Sequence, residues 1–373
     1  MLDARYLSGE SSGIGRYTEH LVDNLLELDD RLRLKLITHP KRPRPFESSR
    51  VSCQTFRAAP NSLRTRHLLS RVVDTARVDL FHSPFNILPG GLQVPCIFTL
   101  HDIMWLIDAE YCTDSWWRKL ITGTFYKALI PRSVAQAERV LTVSHHSRKS
   151  IEEYFPSMQE RVDVTYNGVD PFFRPIDADE GWPLLEKWLE PDTPFVLVVG
   201  QGSPYKNHAG ALAGFIEAFE DVPEMHFVLV RRLTRGPATE LRRLMRRPSV
   251  ADRIIQLDYV SGEELRALYS LARVFLFPSL YEGFGLPALE AMSCGTPVVT
   301  SDRGAPMEVA GPASLTVDPE SPEAIGEALE KLYADDELYE RLRKKGLEHA
   351  GQFTWRRCAE ETLRVYREVL GVA

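Results

Sequence analysis

The chain has 373 residues, 44% of them apolar and 26% charged, with a formal net charge of −7. That length calls for two domains of roughly 150–200 residues, and the composition excludes disordered and fibrous classes. No apolar run near 18 residues and no leader pattern at Met1 point to a membrane or secretory protein, and five cysteines without C-x-x-C spacing exclude a disulfide framework or zinc site and fit a reducing cytosol.

The first feature in chain order is "GESSGIGRYTEHL" at 9–21. Gly9, Ser11 and Gly13 spell the G-x-S-x-G of a nucleophile elbow. Only eight residues precede Gly9, too few for the strand–helix loop that must supply an oxyanion hole. Gly13 and Gly15 begin a G-x-G-x-x-G, yet Thr18 takes the third glycine's place and no acid ends a second strand about 20 residues on. Two readings remain: a flexible turn before a helix over 16–28, or a glycine loop whose backbone N–H groups meet an anion at that helix's start.

Residues 31–77 hold twelve Lys or Arg against two acids, Glu47 and Asp74, a local charge of +10. The block reads either as a solvated face or as a surface for something anionic, a phosphate-bearing substrate or a membrane headgroup layer. Inside it, "NSLRTRHLLSRVV" (61–73) has the spacing of an amphipathic helix suited to a bilayer surface. Aromatic residues for base stacking are scarce there, so nucleic acid is not an expected partner. "SWWRKL" (115–120) sets Trp116 and Trp117 beside Arg118 and Lys119, as core residues or as contacts to a lipid-linked acceptor.

Strand-like runs recur at 2–6, 34–38, 78–83, 96–102, 139–144 and 162–166, and again at 195–200, 226–231, 253–257, 273–279 and 296–301. Runs apolar on both faces and separated by helical stretches indicate parallel sheets covered on both sides. The expected fold is α/β, with two doubly wound, Rossmann-like domains facing across a cleft. Their spans are 1–170 and 171–352, with a hinge in 166–183 and a final helix in 353–373. Ligands of such sheets bind beyond the carboxyl ends of the strands, where Gly13, Gly15, His101, Asp102, Ser144, Gly200 and Glu282 fall.

The discriminating stretch is "PSLYEGFGLPALEAMSCGTPVVTS" (278–301). Glu282 opens a loop with Gly283 and Gly285 after a strand. Pro287 suits the first turn of a helix that Gly295 ends. Glu290 is placed in that first turn, where the helix dipole favours a carboxylate by about 0.3–1 kcal/mol.

The Glu282/Glu290 pair, E-x7-E, closely resembles the retaining glycosyltransferases of family 4, of GT-B fold. The resemblance extends over "GIGRYTEHL", "LHD", "LTVSHHSRKSI", "YNGVD", "VGQGSPYKN" and "YVSGEELRALYSLA", in that order. It implies a nucleotide-sugar donor on the second domain, an acceptor on the first, and a last helix that crosses back to the first. By the resemblance, Glu290 matches the residue that takes ribose hydroxyls and Glu282 the one that contacts the transferred sugar. Lys206 matches the diphosphate-binding lysine and His101 a histidine that touches the sugar. Backbone N–H groups of Phe284, Gly285 and Leu286 would face the sugar and phosphates. The family's arginine five residues before the lysine is Gln201 here, so a cation is missing, and Arg231 or Arg232 is the candidate replacement. Asp102 is read as orienting its loop, and Ser144 as an N-cap or an acceptor contact with Trp116.

Two lookalikes are rejected. Asp177-x-Asp179 spells a metal-binding D-x-D but falls in the hinge, and His145–His146 lacks metal-ligand spacing. No metal and no cofactor are expected. The resemblance is strongest to bacterial polysaccharide mannosyltransferases, which implies mannose from GDP-mannose passed to a glycan or lipid-linked acceptor. The enzyme would sit in the cytoplasm or on the inner face of its membrane. A GT-B epimerase would instead consume its donor without an acceptor, and a non-catalytic binder would be favoured by the loss at Gln201. Relatives also carry several residues before "DAR", so a truncated start and a modestly destabilised first domain are expected.

Overall fold

The computed structural model describes residues 1–7, 13–41, 46–113, 115–231 and 239–372, apart from the side chain of Arg118. Gly9, Ser11 and Arg232 therefore lie outside the described residues, as do Arg42 and Arg44 of the basic block. The chain forms two compact units. One comprises Met1–Ile107, Trp117–Gly168 and Thr354–Ala373, and the other Asp108–Trp116 and Val169–Phe353. The expected span 1–170 puts Asp108–Trp116 in the first domain, and the structure places it in the second. It groups with the second because its short helix Ala109–Cys112, capped by the Asp108 carboxylate at 2.7 Å from the Glu110 N–H, lies against the turn Pro204–Lys206.

The first unit contains β1 (Leu2–Asp3), β2 (Leu34–Thr38), β3 (Val51–Thr55), β4 (Phe81–Ser83), β5 (Cys96–Thr99), β6 (Arg139–Thr142) and β7 (Val162–Val164). They pair in parallel in the order β3-β2-β1-β4-β5-β6-β7. The second unit contains β8 (Phe195–Val199), β9 (His226–Val230), β10 (Ile254–Leu257), β11 (Val274–Phe277), β12 (Val298–Ser301) and β13 (Leu315–Val317). These too are parallel, in the order β10-β9-β8-β11-β12-β13. Strand order reverses between β1 and β4, and again between β8 and β11. At such a switch point the connecting loops part in opposite directions and leave a crevice at the strands' carboxyl ends.

Of the four edge strands, β7 and β10 coincide with the runs at 162–166 and 253–257, and the other two have no counterpart in the sequence reading. The interior strands β8 and β11 are apolar runs buried on both faces. β3 and β13, absent from the sequence reading, are edge strands with partly exposed residues, "VSCQT" and "LTV", whose polar mix hides them.

Within the first unit, the helix Gly13–Leu28 buries Tyr17, Leu21, Val22 and Leu25 against β1 and β2. The same core takes Trp355, Cys358, Ala359 and Tyr366 from the closing helix Trp355–Leu370, whose N-cap Thr354 accepts from the Arg357 N–H. Arg367 holds Asp29 at 2.9 Å, and His82 on β4 bridges Tyr366 to Thr99 on β5. Gly168 makes the return possible. A Cβ there would fall 2.1 Å from the Trp355 backbone nitrogen, a clash no rotamer relieves. The "DAR" segment ends β1 with a fully buried ion pair. The Arg5 Nε donates to Asp3 Oδ1 at 2.8 Å, and Arg5 also reaches Ala58 O and Thr65 Oγ1.

Four cations of the basic block of 31–77 are engaged by the protein's own groups. Lys35 is paired with Asp74 and Arg31 with Asp29, while Arg50 donates to the Leu26 and Asp29 carbonyls and Arg66 to Leu88 O and Gln136 Oε1. Arg33, Lys41, Arg57 and Arg77 stay exposed, as does one face of the helix Leu63–Val72, with Leu63, Arg64, His67, Leu68, Arg71 and Val72. Among the described residues no helix is long and apolar enough to cross a membrane.

Candidate active site

The second unit's switch point gathers the charged residues singled out in its sequence. After β8 the chain runs through Gly200 and Gln201 into the turn Pro204–Lys206. Asn207 follows in the left-handed region (φ 53°), where its side chain caps the helix His208–Phe219 by accepting from the Gly210 N–H. The same side chain donates to Pro278 O at 3.2 Å and Pro319 O at 2.6 Å, tying the β8 loop to the β11 loop. Leu280 N–H adds a bond to Tyr205 O at 2.8 Å. Across this seam the Lys206 Nζ donates to Glu282 Oε1 at 2.6 Å, with the two side chains 9% and 12% exposed. The ammonium lies 4.9 Å from the centre of the Phe277 ring, within cation–π range.

Beyond Glu282, Phe284 is buried and Gly285 takes φ 130°, a region that excludes side chains with a Cβ. Gly285 is the N-cap of the helix Leu286–Ser293, with Pro287 in its first turn, so the N–H groups at this helix start have no intrahelical acceptor. Glu290 is not in that first turn, as the sequence reading had it. It is the fifth helical residue, 7% exposed, and its Oε2 accepts from the Tyr269 hydroxyl at 3.1 Å. The Tyr269 hydroxyl is thus one of the groups that position this carboxylate. Gln201 is exposed and donates to the Tyr205 hydroxyl at 2.7 Å, whereas Arg231, directly after β9, is 6% exposed. The sequence reading passed over Tyr269 and Asn207, although both stand in stretches quoted above.

In the first unit, His101 follows β5. Its Nε2 lies 3.0 Å from Pro84 O, an atom that only accepts, so the Nε2 carries the proton and Nδ1 is left as an acceptor. Burial holds its pKa down to about 4, so the ring is neutral at physiological pH, and it meets Tyr17 edge-on at 5.1 Å. Asp102 accepts from the Met104 N–H at 3.0 Å, which orders the loop. Ser144 is fully buried and caps the helix His145–Tyr154 by accepting from Ser147 N–H at 3.0 Å. The helix read as 16–28 begins at Gly13, so Gly13 and Gly15 lie in its first turn and not in a preceding loop. A Cβ at Gly13 would meet nothing within 4 Å.

Trp116 and Trp117 are 60% and 58% exposed, which removes the core reading, and Asp177 and Asp179 are exposed at the start of the helix Ala178–Leu185. Among the described residues no group of three His, Cys, Asp or Glu could hold a metal ion. A cavity of about 400 Å³ beside Leu2, Leu34 and Tyr366 opens at the amino ends of the strands. That end offers helix C-termini, not the N–H groups that receive anions.

Comparison with known proteins fits this geometry. Residues 11–172 match the family model described as "Glycosyltransferase Family 4", and 184–349 match "Glycosyl transferases group 1". The chain is 33% identical over 292 residues to the O-antigen chain mannosyltransferase B of Escherichia coli, covering 77% of this chain and 74% of that protein. It resembles the solved sucrose-phosphate synthase of Thermosynechococcus elongatus, with TM-score 0.76 and 22% identity over 99% of this chain and 98% of that one. It also resembles Anabaena Alr3699/HepE in complex with UDP and glucose, with TM-score 0.70 and 17% identity over 98% of both chains. Two Rossmann-like parallel-sheet units of the GT-B class, the family matches and the Escherichia coli relative together establish that this chain belongs to the family 4 glycosyltransferases.

Proposed function

We propose that the enzyme moves mannose from GDP-mannose to a growing glycan or lipid-linked oligosaccharide, with retention of configuration and without a metal. The observation that carries the donor assignment is the Lys206–Glu282 pair at the β8/β11 switch point, with Glu290 held by Tyr269 one helix turn beyond Gly285. Glu290 accepts the ribose hydroxyls. The N–H groups of Phe284, Gly285 and Leu286 at the helix start receive phosphate and sugar oxygens, and Gly13 and Gly15 offer a second helix start. On donor arrival Lys206 turns its charge from Glu282 to the diphosphate, which frees Glu282 to accept sugar hydroxyls.

The chemical burden is departure of a nucleoside diphosphate, and stabilising the charge that develops there is the chief catalytic contribution. The bond from the anomeric carbon to the phosphate oxygen breaks, and one to the acceptor oxygen forms on the same face. The acceptor's proton passes to the departing phosphate oxygen. His101, neutral with Nδ1 free to accept, takes a hydroxyl hydrogen bond from the sugar. Mannose is supported by the Escherichia coli relative's own description, and a nucleoside diphosphate by the UDP in the Anabaena structure. A cytoplasmic location at a membrane surface is supported by the apolar and basic outer face of Leu63–Val72 and by the exposed Trp116 and Trp117.

Thermal unfolding with GDP, UDP, ADP and their sugars, each with excess EDTA, tests the reading. The expected result is a shift with GDP and GDP-mannose that EDTA leaves unchanged, about 2.7 kcal/mol at 100 times the dissociation constant. No shift with any nucleotide refutes the donor site. GDP-mannose consumption that does not depend on an added acceptor refutes transfer in favour of hydrolysis or epimerisation.

A further inference from the structure

We infer that Arg231 and His208 form a phosphate subsite beneath the β8 loop, with Arg231 supplying the cation that Gln201 lacks. The inference rests on the reading of the second unit as the donor site. A nucleoside diphosphate brings two or more negative charges, and the loop after β8 meets it with Lys206 alone, already 2.6 Å from the Glu282 carboxylate. Gln201 is uncharged and engaged with Tyr205.

Arg231 continues β9 by one residue, its N–H bonded to Leu257 O at 2.8 Å. The guanidinium lies directly under the β8 loop. A Cβ at Gly202 would fall 2.7 Å from both Nε and one terminal nitrogen, so the loop passes close against the guanidinium. One terminal nitrogen lies 3.5 Å from Gly202 O, at the long limit of a hydrogen bond.

His208 supplies the independent observation. It is the first residue of the helix His208–Phe219, it is 6% exposed, and its Nε2 is buried with no hydrogen-bond partner. That nitrogen points at the loop's first residue, 3.3 Å from where a Cβ on Gly200 would stand. Burial, then the charges of Arg231 and Lys206, hold its pKa down to about 3, so the ring is neutral and free to donate Nε2–H. An unpartnered buried polar atom is costly, and one facing two cations at a helix N-terminus fits an anion's oxygen. Lys206, His208 and Arg231 thus converge from the ends of β8 and β9, each less than a tenth exposed.

The test measures GDP, UDP and ADP, and the matching nucleosides, by calorimetry on the full chain. Arg231→Gln is expected to weaken the preferred nucleoside diphosphate by about 10- to 100-fold, the range of one charged hydrogen bond, while the nucleoside binds as before. Gln201→Arg added to Arg231→Gln should recover most of that loss, because it returns a cation to the same loop. His208→Phe, which keeps the buried ring and removes the nitrogens, should weaken the diphosphate selectively. Unchanged diphosphate binding in Arg231→Gln overturns the subsite and leaves the donor reading intact. Equal loss of nucleoside and diphosphate, with no recovery by Gln201→Arg, also overturns it, since Arg231 would then only support the loop. If the unaltered protein binds none of the three diphosphates, the donor reading itself fails and the subsite with it.

Discussion

His82 makes the stability of the first unit depend on pH in a direction and amount that follow from its surroundings. It is 1% exposed, with Nδ1 2.6 Å from the Tyr366 hydroxyl on the closing helix and Nε2 2.9 Å from Thr99 Oγ1. Burial, helped by the nearby amino-terminal charge and His101, moves its pKa from 6.5 down to about 3. As pH falls through 6.5 the unfolded chain takes a proton at this position, and the folded chain stays neutral until about 3. Unfolding therefore takes up a proton in that window. The full stability is present above 6.5 and declines as pH falls. Each pH unit is worth about 1.4 kcal/mol, so at about pH 5 His82 alone removes about 2 kcal/mol. His101 and His208, with pKa values held to about 4 and about 3, act in the same sense. The slope attributable to His82 is thus read as a difference. Urea unfolding from about pH 7 to about pH 5 should show His82→Gln losing stability less steeply than the unaltered chain, by about 1.4 kcal/mol per pH unit below 6.5. Parallel curves would refute the argument.

Other perturbations address packing, charge and surface. Gly168→Ala forces a Cβ to 2.1 Å from the Trp355 nitrogen. It should cost at least the about 1–3 kcal/mol usual for overpacking, read by denaturant midpoint, with amide exchange rising first along 355–370. Lys206→Met leaves the Glu282 charge buried and should cost about 3–5 kcal/mol, whereas Lys206→Met with Glu282→Gln should be markedly more stable than Lys206→Met alone. A denaturation cycle without that recovery would mean the pair is solvated. Leu63→Ser with Leu68→Ser should lower sedimentation with anionic phospholipid vesicles without changing activity on a soluble acceptor, and added salt should release the unaltered protein. Vesicle binding indifferent to both changes would remove this face from membrane contact.

The legible parts of the sequence were those where one physical demand acts alone. Interior strands such as 34–38 coincide with Leu34–Thr38 because burial on both faces admits little but apolar residues. The helix after "GFG" was legible because Pro287 and Gly295 mark its ends, and Gly295 takes φ 84°. Where two demands compete, the pattern blurs. Glu290 carries a helix-start acid's signature, yet a tyrosine from another helix is among the groups that position it. The +10 block looked like one surface, but sequence proximity says nothing about which arginines are spent on carbonyls, as Arg50 and Arg66 are. Gly202 and His208 gave no signal, since their meaning lies in a guanidinium from a distant strand.

The re-entry at Gly168 and Thr354 has a consequence for how the chain is made. The first unit's core includes Trp355, Cys358, Val365 and Tyr366, so a ribosome that has delivered residues 1–168 has not delivered what covers Leu21, Leu25 and Leu36. The stretch Val169–Phe353 must be synthesised in between, roughly 10–40 s at about 5–20 residues per second. During that interval the second unit can complete itself while the first waits with an open apolar seam. Nascent chains halted before Trp355 should therefore be the ones that recruit chaperones, and the order of synthesis is not the order in which the two halves become native.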